Sequence, residues 1–266
     1  MENRLNVYVY TKNNEQSLMK KKTVEQALTS EGFTTLPTAD DANIIMSIGS
    51  DGTFLQAVRK THFRQDCLYA GIAVAGKQSM YCDFEYDNLS AMVETIRNAE
   101  IEVRRYPVIE VAIDEHKPFY CLNEFTIRSN IIRTFVLDIE VDGKKLETFL
   151  GDGLIISTPT GSTAYNKSMG GAIVDPLLKC FQVTELASVN NNAYRTLGTP
   201  FILSGERSLT LRVPETDNAF PVIAADNEAL PVRKVEQVDI ALSDKKIKTV
   251  KLKNNSFWEK VQRIFL

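Results

Sequence analysis

Up to about residue 100 the chain alternates between two hydrophobic patterns. Continuous apolar runs of strand length are separated by segments in which apolar residues recur at helical spacing. Gly32 directly follows the first helical segment and is a typical helix stop. This order favours a parallel sheet covered by helices, as in an α/β nucleotide-binding domain. In chain order the pattern predicts a strand at 5–10, a helix at about 15–31, a strand at 43–48, a helix from residue 53, a strand at 68–75 and a helix at 89–99.

From Val103 onward the periodicity changes to two, which is typical of half-buried strands. Apolar and acidic residues alternate over 137–141, and the Asp142-Gly143 pair after them is a strong hairpin signal. We therefore predict an α/β domain at 1–100 and a β-rich domain at 101–249. Further on, the pattern predicts strands at 209–213 and 238–242, a polar turn at 243–246 and then a Lys-rich strand.

The final segment, 255–266, has the pattern of a capped amphipathic helix. Its apolar residues, among them Phe257, Trp258 and Ile264, need a surface to cover. The first domain is the candidate for that surface, so about 250–266 is predicted to return to it.

Composition is that of a globular protein with two domains. The chain has 266 residues, of which 44% are hydrophobic and 24% charged, and its formal net charge is −3. This balance gives no reason to expect binding to nucleic acid or to an anionic membrane. No apolar run approaches the roughly 18 residues that span a bilayer, and the first residues lack a signal-peptide pattern. A cytoplasmic protein is expected.

Cysteine and histidine usage argues against several kinds of site. With no Cys-x-x-Cys pair, neither a zinc site nor a disulfide framework is expected, and the cysteines are predicted to be reduced. The histidines lie in polar segments and are predicted at the surface, which disfavours a Ser-His-Asp hydrolase. The residues concerned are Cys67, Cys82, Cys121, Cys180, His62 and His116.

The first candidate for chemistry is Ser47-Ile48-Gly49-Ser50-Asp51-Gly52-Thr53-Phe54, at the end of a predicted strand. Glycines there let backbone N–H groups approach a polyanion, and a following helix would present its N-terminus to the same ligand. A carboxylate facing phosphates is repulsive unless it holds a metal or takes a proton, which makes Asp51 a candidate base. The alternative is that this segment is only a loop and helix cap.

Two further polar segments could bind a ligand. Hydroxyl residues and glycines at 151–168 can hydrogen-bond sugars and phosphates, with Tyr165 available to stack on a ring, although a Ser/Thr-rich turn is the alternative. Asn123-Glu124 lies in a strand-like run, where the carboxylate suits a ribose diol or simply a solvated strand face. The Walker A-like segment 71–77 is rejected, because it begins inside a strand and Gln78 lacks the required hydroxyl.

Together these segments resemble the NAD kinase family over most of the chain and in the family's order. Gly49-Ser50-Asp51-Gly52-Thr53 is similar to its Gly-Gly-Asp-Gly-Thr motif, Asn123-Glu124 to its Asn-Glu pair, and 151–168 to its glycine- and threonine-rich signature. Segment 185–191 resembles its nucleotide-contact segment, and Asp226-Asn227 its late acidic strand. The resemblance implies an N-terminal α/β domain, a mostly-β, sandwich-like C-terminal domain that binds NAD, and a last helix that packs back on the first domain. It also implies a homodimer or homotetramer, with the cleft completed by a neighbouring subunit.

The resemblance implies an activity as well. A terminal phosphate would pass from ATP or polyphosphate to the 2′-hydroxyl of the adenosine ribose of NAD, with Mg²⁺ or another divalent cation, giving NADP. Asp51 would be the base, Gly49 and Gly52 would admit the donor phosphates, and no residue is assigned as a metal ligand. The residues implied to bind or line the dinucleotide site are Tyr81, Asn123, Glu124, Asp152, Thr160, Thr163, Ala164, Tyr165, Ser168, Ala187, Asn191 and Asp226.

Three departures from the family pattern bear on function. Ser50 replaces a glycine, which would cost about 1–2 kcal/mol at positive φ and would be tolerated at a β-region φ. Segment 76–80, which ends in Met80, lacks the aromatic ring of the family's Gly-His-Leu-Gly-Phe-like segment but leaves Tyr81 beside it. Leu150 stands where many relatives carry Arg, which removes a cation for the product's 2′-phosphate. The preference for ATP or polyphosphate, the preference for NAD or NADH, and feedback by NADP stay open.

Two other functions fit parts of the sequence. A lipid kinase of the diacylglycerol or sphingosine type shares the glycine-flanked acidic motif, but the chain lacks a basic amphipathic helix that would dock on a bilayer. A non-catalytic NAD(P)-binding sensor would keep the cleft and lose turnover, which Ser50 and Leu150 would allow. Formation of NADP from NAD, Mg²⁺ and a phosphoryl donor separates the kinase from both.

Overall fold

The chain divides into two compact units. The first comprises Met1–Tyr106 with Lys245–Leu266, and the second comprises Pro107–Asp244. The computed structural model describes residues 5–74, 79–97, 101–131, 133–214, 220–253 and 255–266.

The first unit is an α/β structure with a parallel sheet. β1 pairs in parallel with β2 and β3, and β4 pairs in parallel with β3 and β5. The strands and helices predicted up to residue 97 are therefore confirmed, and Gly32 follows the end of α1 with a positive φ of 84°. The elements up to the unit boundary are β1 (Asn6–Tyr10), α1 (Glu15–Ser30), β2 (Thr34–Leu36), β3 (Ile44–Gly49), α2 (Asp51–Lys60), β4 (Leu68–Ala73), β5 (Cys82–Glu85), α3 (Leu89–Arg97) and β6 (Ile101–Ile113), of which β6 continues into the second unit.

The core of the first unit lies between this sheet and its helices. Val7 and Val9 of β1 pack with Val24 and Leu28 of α1, and all four side chains are fully buried. Strand β3 is buried at five consecutive positions, as expected for a central parallel strand covered on both faces. This rigid strand ends at the turn that carries the first candidate site.

The second unit is built from antiparallel strands. Six of them form a sheet in the order β13-β12-β11-β8-β15-β16, and β10, β9, β14 and β17 pair in that order in another antiparallel layer. Buried residues of both layers form one hydrophobic cluster, which is the sandwich-like arrangement that was expected. The elements are β7 (Phe119–Cys121), β8 (Glu124–Arg128), β9 (Phe135–Val141), β10 (Lys144–Gly151), β11 (Gly153–Ser157), α4 (Tyr165–Ser168), β12 (Cys180–Leu186), β13 (Phe201–Ser204), β14 (Leu209–Arg212), β15 (Val222–Ala225), β16 (Glu228–Ala229) and β17 (Gln237–Leu252), of which β17 continues into the first unit.

The hairpin predicted at Asp142-Gly143 is confirmed. These two residues connect β9 to β10, and their φ angles of 50° and 70° are the positive values that a tight hairpin turn requires.

The turn predicted at 243–246 is wrong, because β17 continues through it from Gln237 to Leu252. The stretch is polar but contains no Gly, Pro or Asn to bend the backbone. Its groups have partners along the strand. In the second unit Ser243 Oγ donates to Glu110 Oε2 at 3.2 Å, and in the first unit the Lys246 N–H donates to Gln65 Oε1 at 2.8 Å.

The C-terminal helix α5 (Phe257–Phe265) belongs to the first unit, as predicted. Ser256 caps it, and the Ser256 Oγ accepts a hydrogen bond from the Glu259 N–H at 3.1 Å. Val261 is buried and Trp258 is half exposed, so the helix covers the unit with one face. The same face also buries a charged residue, Lys260.

The predicted burial of Cys67 and Cys121 and the predicted surface positions of the histidines are confirmed. All four cysteines are buried free thiols, and His62 and His116 are exposed. No helix within the described ranges is long and apolar enough to cross a membrane.

Candidate functional site

The turn between β3 and α2 shapes the first candidate site. Gly49 has a φ of 149°, and a Cβ added there would lie 2.5 Å from Thr53 Oγ1, so this position requires glycine. Ser50 has a φ of −103° in the β region, so serine fits there without strain. A Cβ added at Gly52 would meet only Ser50 Oγ, at 3.8 Å. The packing around position 52 therefore does not demand a glycine.

Asp51 is the first residue of α2, and its carboxylate is held from three directions. Oδ1 accepts hydrogen bonds from Ser79 Oγ and from the Tyr81 N–H at 2.9 Å, and Oδ2 accepts one from the Met80 N–H at 2.9 Å. A carboxylate oxygen can accept two hydrogen bonds, so Oδ2 keeps room for one further donor. A negative charge at this point is also favoured by the helix N-terminus.

The segment that holds Asp51 is itself well packed. The ring of Tyr81 is buried, stacks on Phe54 at 4.9 Å between centroids and meets Tyr106 edge-on at 5.8 Å. Tyr81 was expected to line the dinucleotide site, but the structure places its ring in packing within the first unit. Gly71 lies inside β4, as argued against a Walker A loop. Gly76, Lys77 and Gln78 lie outside the described residues.

In the second unit, the carboxylate of Asp226 binds the backbone of the Asn123-Glu124 pair. It accepts hydrogen bonds from the N–H groups of Leu122, Asn123 and Glu124 at 2.9, 2.6 and 3.3 Å. Asp226 and Asn227 both have positive φ, and the Asp226 N–H donates to the Glu124 carbonyl at 3.0 Å. The turn after β15 therefore fixes the start of β8 by four hydrogen bonds.

Glu124 is the most perturbed carboxyl group of this cluster. It is 5% exposed, and its Oε2 has no hydrogen-bond partner within the described part of the chain. Burial, with a smaller contribution from Asp226, raises the pKa of Glu124 to about 8. A buried polar atom without a partner is costly unless something satisfies it. A ligand hydroxyl at this position would do so.

The hydroxyl-rich loop packs on the same pair. Thr158 Oγ1 and Thr160 Oγ1 both donate to the Leu122 carbonyl, at 2.6 and 3.2 Å. A Cβ added at Gly161 would lie 2.0 Å from the Asn123 carbonyl oxygen, so only glycine allows this approach. Sequence reasoning missed Thr158 and Gly161, although both lie in the segment it singled out. The structure thus brings the loop, the Asn-Glu pair and Asp226 together.

The rest of this loop is divided between structure and surface. Thr163 is buried and donates to the Thr160 carbonyl at 3.1 Å, which is the Ser/Thr turn that was left open as an alternative. Ala164 and Tyr165 are half-buried, and the Tyr165 hydroxyl accepts a hydrogen bond from Arg128 at 3.2 Å. Ser168, at the end of α4, is exposed.

The remaining predicted residues lie on other loops of the second unit. Asp152 and Ala187 are exposed, and Ala187 has a positive φ of 47°. Asn191 is exposed too, and its Oδ1 accepts hydrogen bonds from the N–H groups of Ala193 and Tyr194 at 2.8 and 2.9 Å. Leu150 is a buried residue of β10. The two hydrogen bonds that Asn191 accepts stabilise the loop in which it lies.

A pair of carboxyl groups not expected from the sequence supports that loop. Glu147 Oε2 accepts a hydrogen bond from the Leu197 N–H at 2.7 Å, and Glu185 accepts one from the Gly198 N–H at 3.2 Å. Burial and the neighbouring Glu185 raise the pKa of Glu147 to about 7. The two residues are far apart in sequence and lie on strands of different sheets, β10 and β12, so no local pattern marks them.

Comparison with known proteins adds to this geometry. A family model described as the ATP-NAD kinase C-terminal domain matches residues 122–252. NAD kinase 2 of Bacillus subtilis is 58% identical over 265 residues, which cover 100% of this chain and 99% of that protein. NAD kinase 2 of Geobacillus kaustophilus is 53% identical and covers 98% of this chain and 97% of its own length.

Solved structures share the fold. Yeast NADH kinase complexed with NADH has a TM-score of 0.80 at 19% identity and covers 99% of this chain and 88% of its own. An NAD kinase from Archaeoglobus fulgidus in complex with ATP has a TM-score of 0.76 at 23% identity and covers 97% of this chain and 99% of its own.

The chain has an α/β unit and a β-sandwich unit, and the family match to an ATP-NAD kinase domain covers most of the second unit. Together these findings define a two-domain nucleotide-dependent kinase. The chain belongs to the NAD kinase family. These full-length relatives favour neither the lipid-kinase reading nor the sensor reading.

Proposed function

We propose that this protein transfers a phosphoryl group from ATP or polyphosphate to the 2′-hydroxyl of the adenosine ribose of NAD. The observation that carries the proposal is the fixed carboxylate of Asp51 at the N-terminus of α2, whose Oδ2 accepts one hydrogen bond from the described residues and keeps a second acceptor position. The 2′-hydroxyl donates its proton to that position while its oxygen bonds to the terminal phosphorus. The bond from this phosphorus to the bridging oxygen breaks, and the shortened donor leaves.

The backbone around Asp51 supports binding of the donor. Gly52 is exposed and carries no side chain, so phosphate oxygens can come close to the first N–H groups of α2. Among the described residues no group of three or more His, Cys, Asp or Glu side chains could hold a metal ion. A divalent cation bound with the donor phosphates would spread their charge.

The second unit is proposed to bind the dinucleotide. Glu124 Oε2 is buried without a partner within the described ranges, and a ribose hydroxyl would supply the missing donor. Asn123 beside it offers an amide for a base or sugar edge. Asp226 holds the backbone of the Asn123-Glu124 pair by the hydrogen bonds that it accepts. The same site would be lined by Thr160, Thr163, Ala164 and Tyr165. We propose Asp152, Ser168, Ala187 and Asn191 as further contacts at its edges, and Tyr81 as a buried support of the turn around Asp51.

Assembly and location are proposed along with the activity. Ile202 lies on β13, an edge strand of the six-stranded sheet, and Val222 lies on β15, next to the other edge strand. Both are half exposed, which suits contact with a second copy of the chain in a homodimer or homotetramer. Light scattering after gel filtration measures the assembly directly. The four free thiols fit a reducing compartment such as the cytoplasm.

The kinase proposal is tested by Asp51→Asn in an assay that couples NADP formation to an NADP-specific dehydrogenase. We expect kcat to fall roughly 10²–10⁴-fold, the usual contribution of a positioned base, with little change in NAD affinity. Asp40→Asn is the matched control, because it makes the same substitution at an exposed carboxylate of the same unit. Wild-type kcat in Asp51→Asn would exclude the base. NAD binding without NADP from ATP or polyphosphate in the wild type would mean a sensor.

A further inference from the structure

Lys260 of α5 is an unusual residue for a helix that covers the surface of a unit. Its side chain is fully buried, and its Nζ lies 2.9 Å from Asp83 Oδ2. The other oxygen of Asp83 accepts a hydrogen bond from Asn255 Nδ2 at 2.6 Å. Burial of an ammonium group is unfavourable unless it is paired, so the ion pair explains how Lys260 is tolerated. It does not explain why a charge is kept there at all.

The second partner of Lys260 leads towards Asp51. Lys260 Nζ donates to the Met80 carbonyl at 2.8 Å. That carbonyl and the Tyr81 N–H belong to one peptide group, and the Tyr81 N–H donates to Asp51 Oδ1 at 2.9 Å. Lys260 and Asp51 are therefore joined through a single peptide group. A cation on the carbonyl polarises the peptide and strengthens the hydrogen bond that its N–H donates.

Met80 and Ser79, on the N-terminal side of this peptide group, also bind Asp51. The Met80 N–H donates to Asp51 Oδ2, and Ser79 Oγ, which bonds Asp51, accepts a hydrogen bond from the Cys82 N–H at 2.9 Å. Among the described residues, the hydrogen bonds that orient the carboxylate come from residues 79–81. Lys260 binds this segment at its centre and, through Asp83, just after its end.

We propose that Lys260 is a positioning residue for Asp51. By fixing the Met80–Tyr81 peptide it sets the direction of the carboxylate, so that the free position on Oδ2 faces the hydroxyl that is phosphorylated. This inference rests on the proposed role of Asp51 as the base. Lys260 does not touch a substrate in this account, so its loss should affect kcat and leave substrate binding largely intact.

The test removes the charge pair as a unit. Lys260→Met alone would leave Asp83 buried without its partner and could unfold the protein, so the informative variant is Lys260→Met/Asp83→Asn. The matched control is Asn255→Ala, which removes a hydrogen bond to Asp83 and keeps both the Lys260–Asp83 pair and the bond from Lys260 to the Met80 carbonyl. Two quantities are measured, the steady-state constants for NAD and ATP and the hydrogen exchange of the Met80 and Tyr81 amides.

We expect the double variant to lose roughly tenfold to a hundredfold in kcat, as for a misplaced catalytic group, with KM for NAD within about threefold of wild type. Its Met80 and Tyr81 amides should exchange faster, whereas Asn255→Ala should change both quantities far less. Wild-type kcat and wild-type exchange in a folded double variant would overturn the proposal, as would equal losses in the control.

A second variant guards against misfolding. Lys260→Met/Asp83→Leu replaces the pair by apolar groups, carries the same expectations and is judged by the same criteria. Asp51→Asn measured in parallel separates the role of Asp51 as the base from the role of Lys260 in positioning it. If Asp51→Asn retained its kcat, the role of Asp51 as base would fail, while faster exchange in the double variants would still report the link from Lys260 to the segment.

Discussion

Replacement of Glu124 by Gln should make the protein more stable at alkaline pH and should remove a specific pH dependence. The carboxyl group is 5% exposed, and its Oε2 lacks a partner within the described residues. Burial and Asp226 raise its pKa from the ordinary value of 4.5 to about 8. Because the pKa is higher in the folded protein, folding favours the protonated form. The stabilisation is fully present below the unfolded-state value and is lost as the pH rises through about 8.

The magnitude follows from linkage. One pKa unit corresponds to about 1.36 kcal/mol, and between about pH 5.5 and pH 8.5 roughly 2.3 units of the shift are lost, or about 3 kcal/mol of unfolding free energy. A glutamine has nearly the same shape and cannot ionise. The difference in stability between Glu124→Gln and wild type should therefore grow by about 3 kcal/mol over this range, in favour of the variant.

Urea denaturation followed by circular dichroism at the two pH values measures this difference. Other titrating groups, Glu147 among them, are present in both proteins and cancel in the comparison. Glu110→Gln, at a half-buried carboxyl group of the same unit, serves as a control for the substitution itself. A stability difference that did not change between the two pH values would refute the reasoning, since Glu124 would then ionise in the folded protein much as it does in the unfolded chain.

Three further changes are predictable. Gly49→Ala should lower the unfolding free energy by roughly 2 kcal/mol or more, because Gly49 has a positive φ and an added Cβ would lie 2.5 Å from the Thr53 hydroxyl. Gly52→Ala should keep its stability in urea and raise KM for ATP, so equal stability losses in the two variants would contradict this reasoning. In the wild type, the raised pKa of Glu147 favours the protonated folded form, so stability is lost as the pH rises from about 4.5 to about 7. Glu147→Gln should abolish this loss, and a variant whose unfolding free energy followed the same pH profile as wild type would argue against it. Ser256→Ala should lower the unfolding free energy by about 1 kcal/mol through loss of a helix cap, and an unchanged thermal midpoint would mean that the cap is not formed in solution.

Local patterns were enough to predict most of the fold. The β3 strand, the α2 helix and the hairpin at Asp142-Gly143 each have a signal within a few neighbouring residues. The turn predicted at 243–246 failed because polarity alone does not bend a chain. Partners from distant segments, Glu110 and Gln65, make a polar strand acceptable there.

The candidate site shows the same limit more sharply. The motif around Asp51 is visible in the sequence, as is the Asn123-Glu124 pair. What holds them is not, because the hydrogen bonds come from Met80 and Asp226, which lie 29 and 102 or more positions away. The prediction that Tyr81 lines the dinucleotide site rests on its position in the chain, and the stacking of its ring on Phe54 has no local signal either. Burial and distant pairing decide such outcomes, and neither has a local pattern.

The place of Lys260 near the end of the chain has a consequence for biosynthesis. Residues 245–266 belong to the first unit but leave the ribosome only after the whole second unit has been made. Chains fold as they emerge, from the N-terminus onward. The segment at 79–83 must therefore wait for its buried ammonium partner until the whole second unit has been synthesised. A truncated product that lacks α5 would keep the Asp51 motif, the Asn123-Glu124 pair and the hydroxyl-rich loop. It would lack the contact from Lys260 to the Met80 carbonyl, so we expect such a product to be inactive.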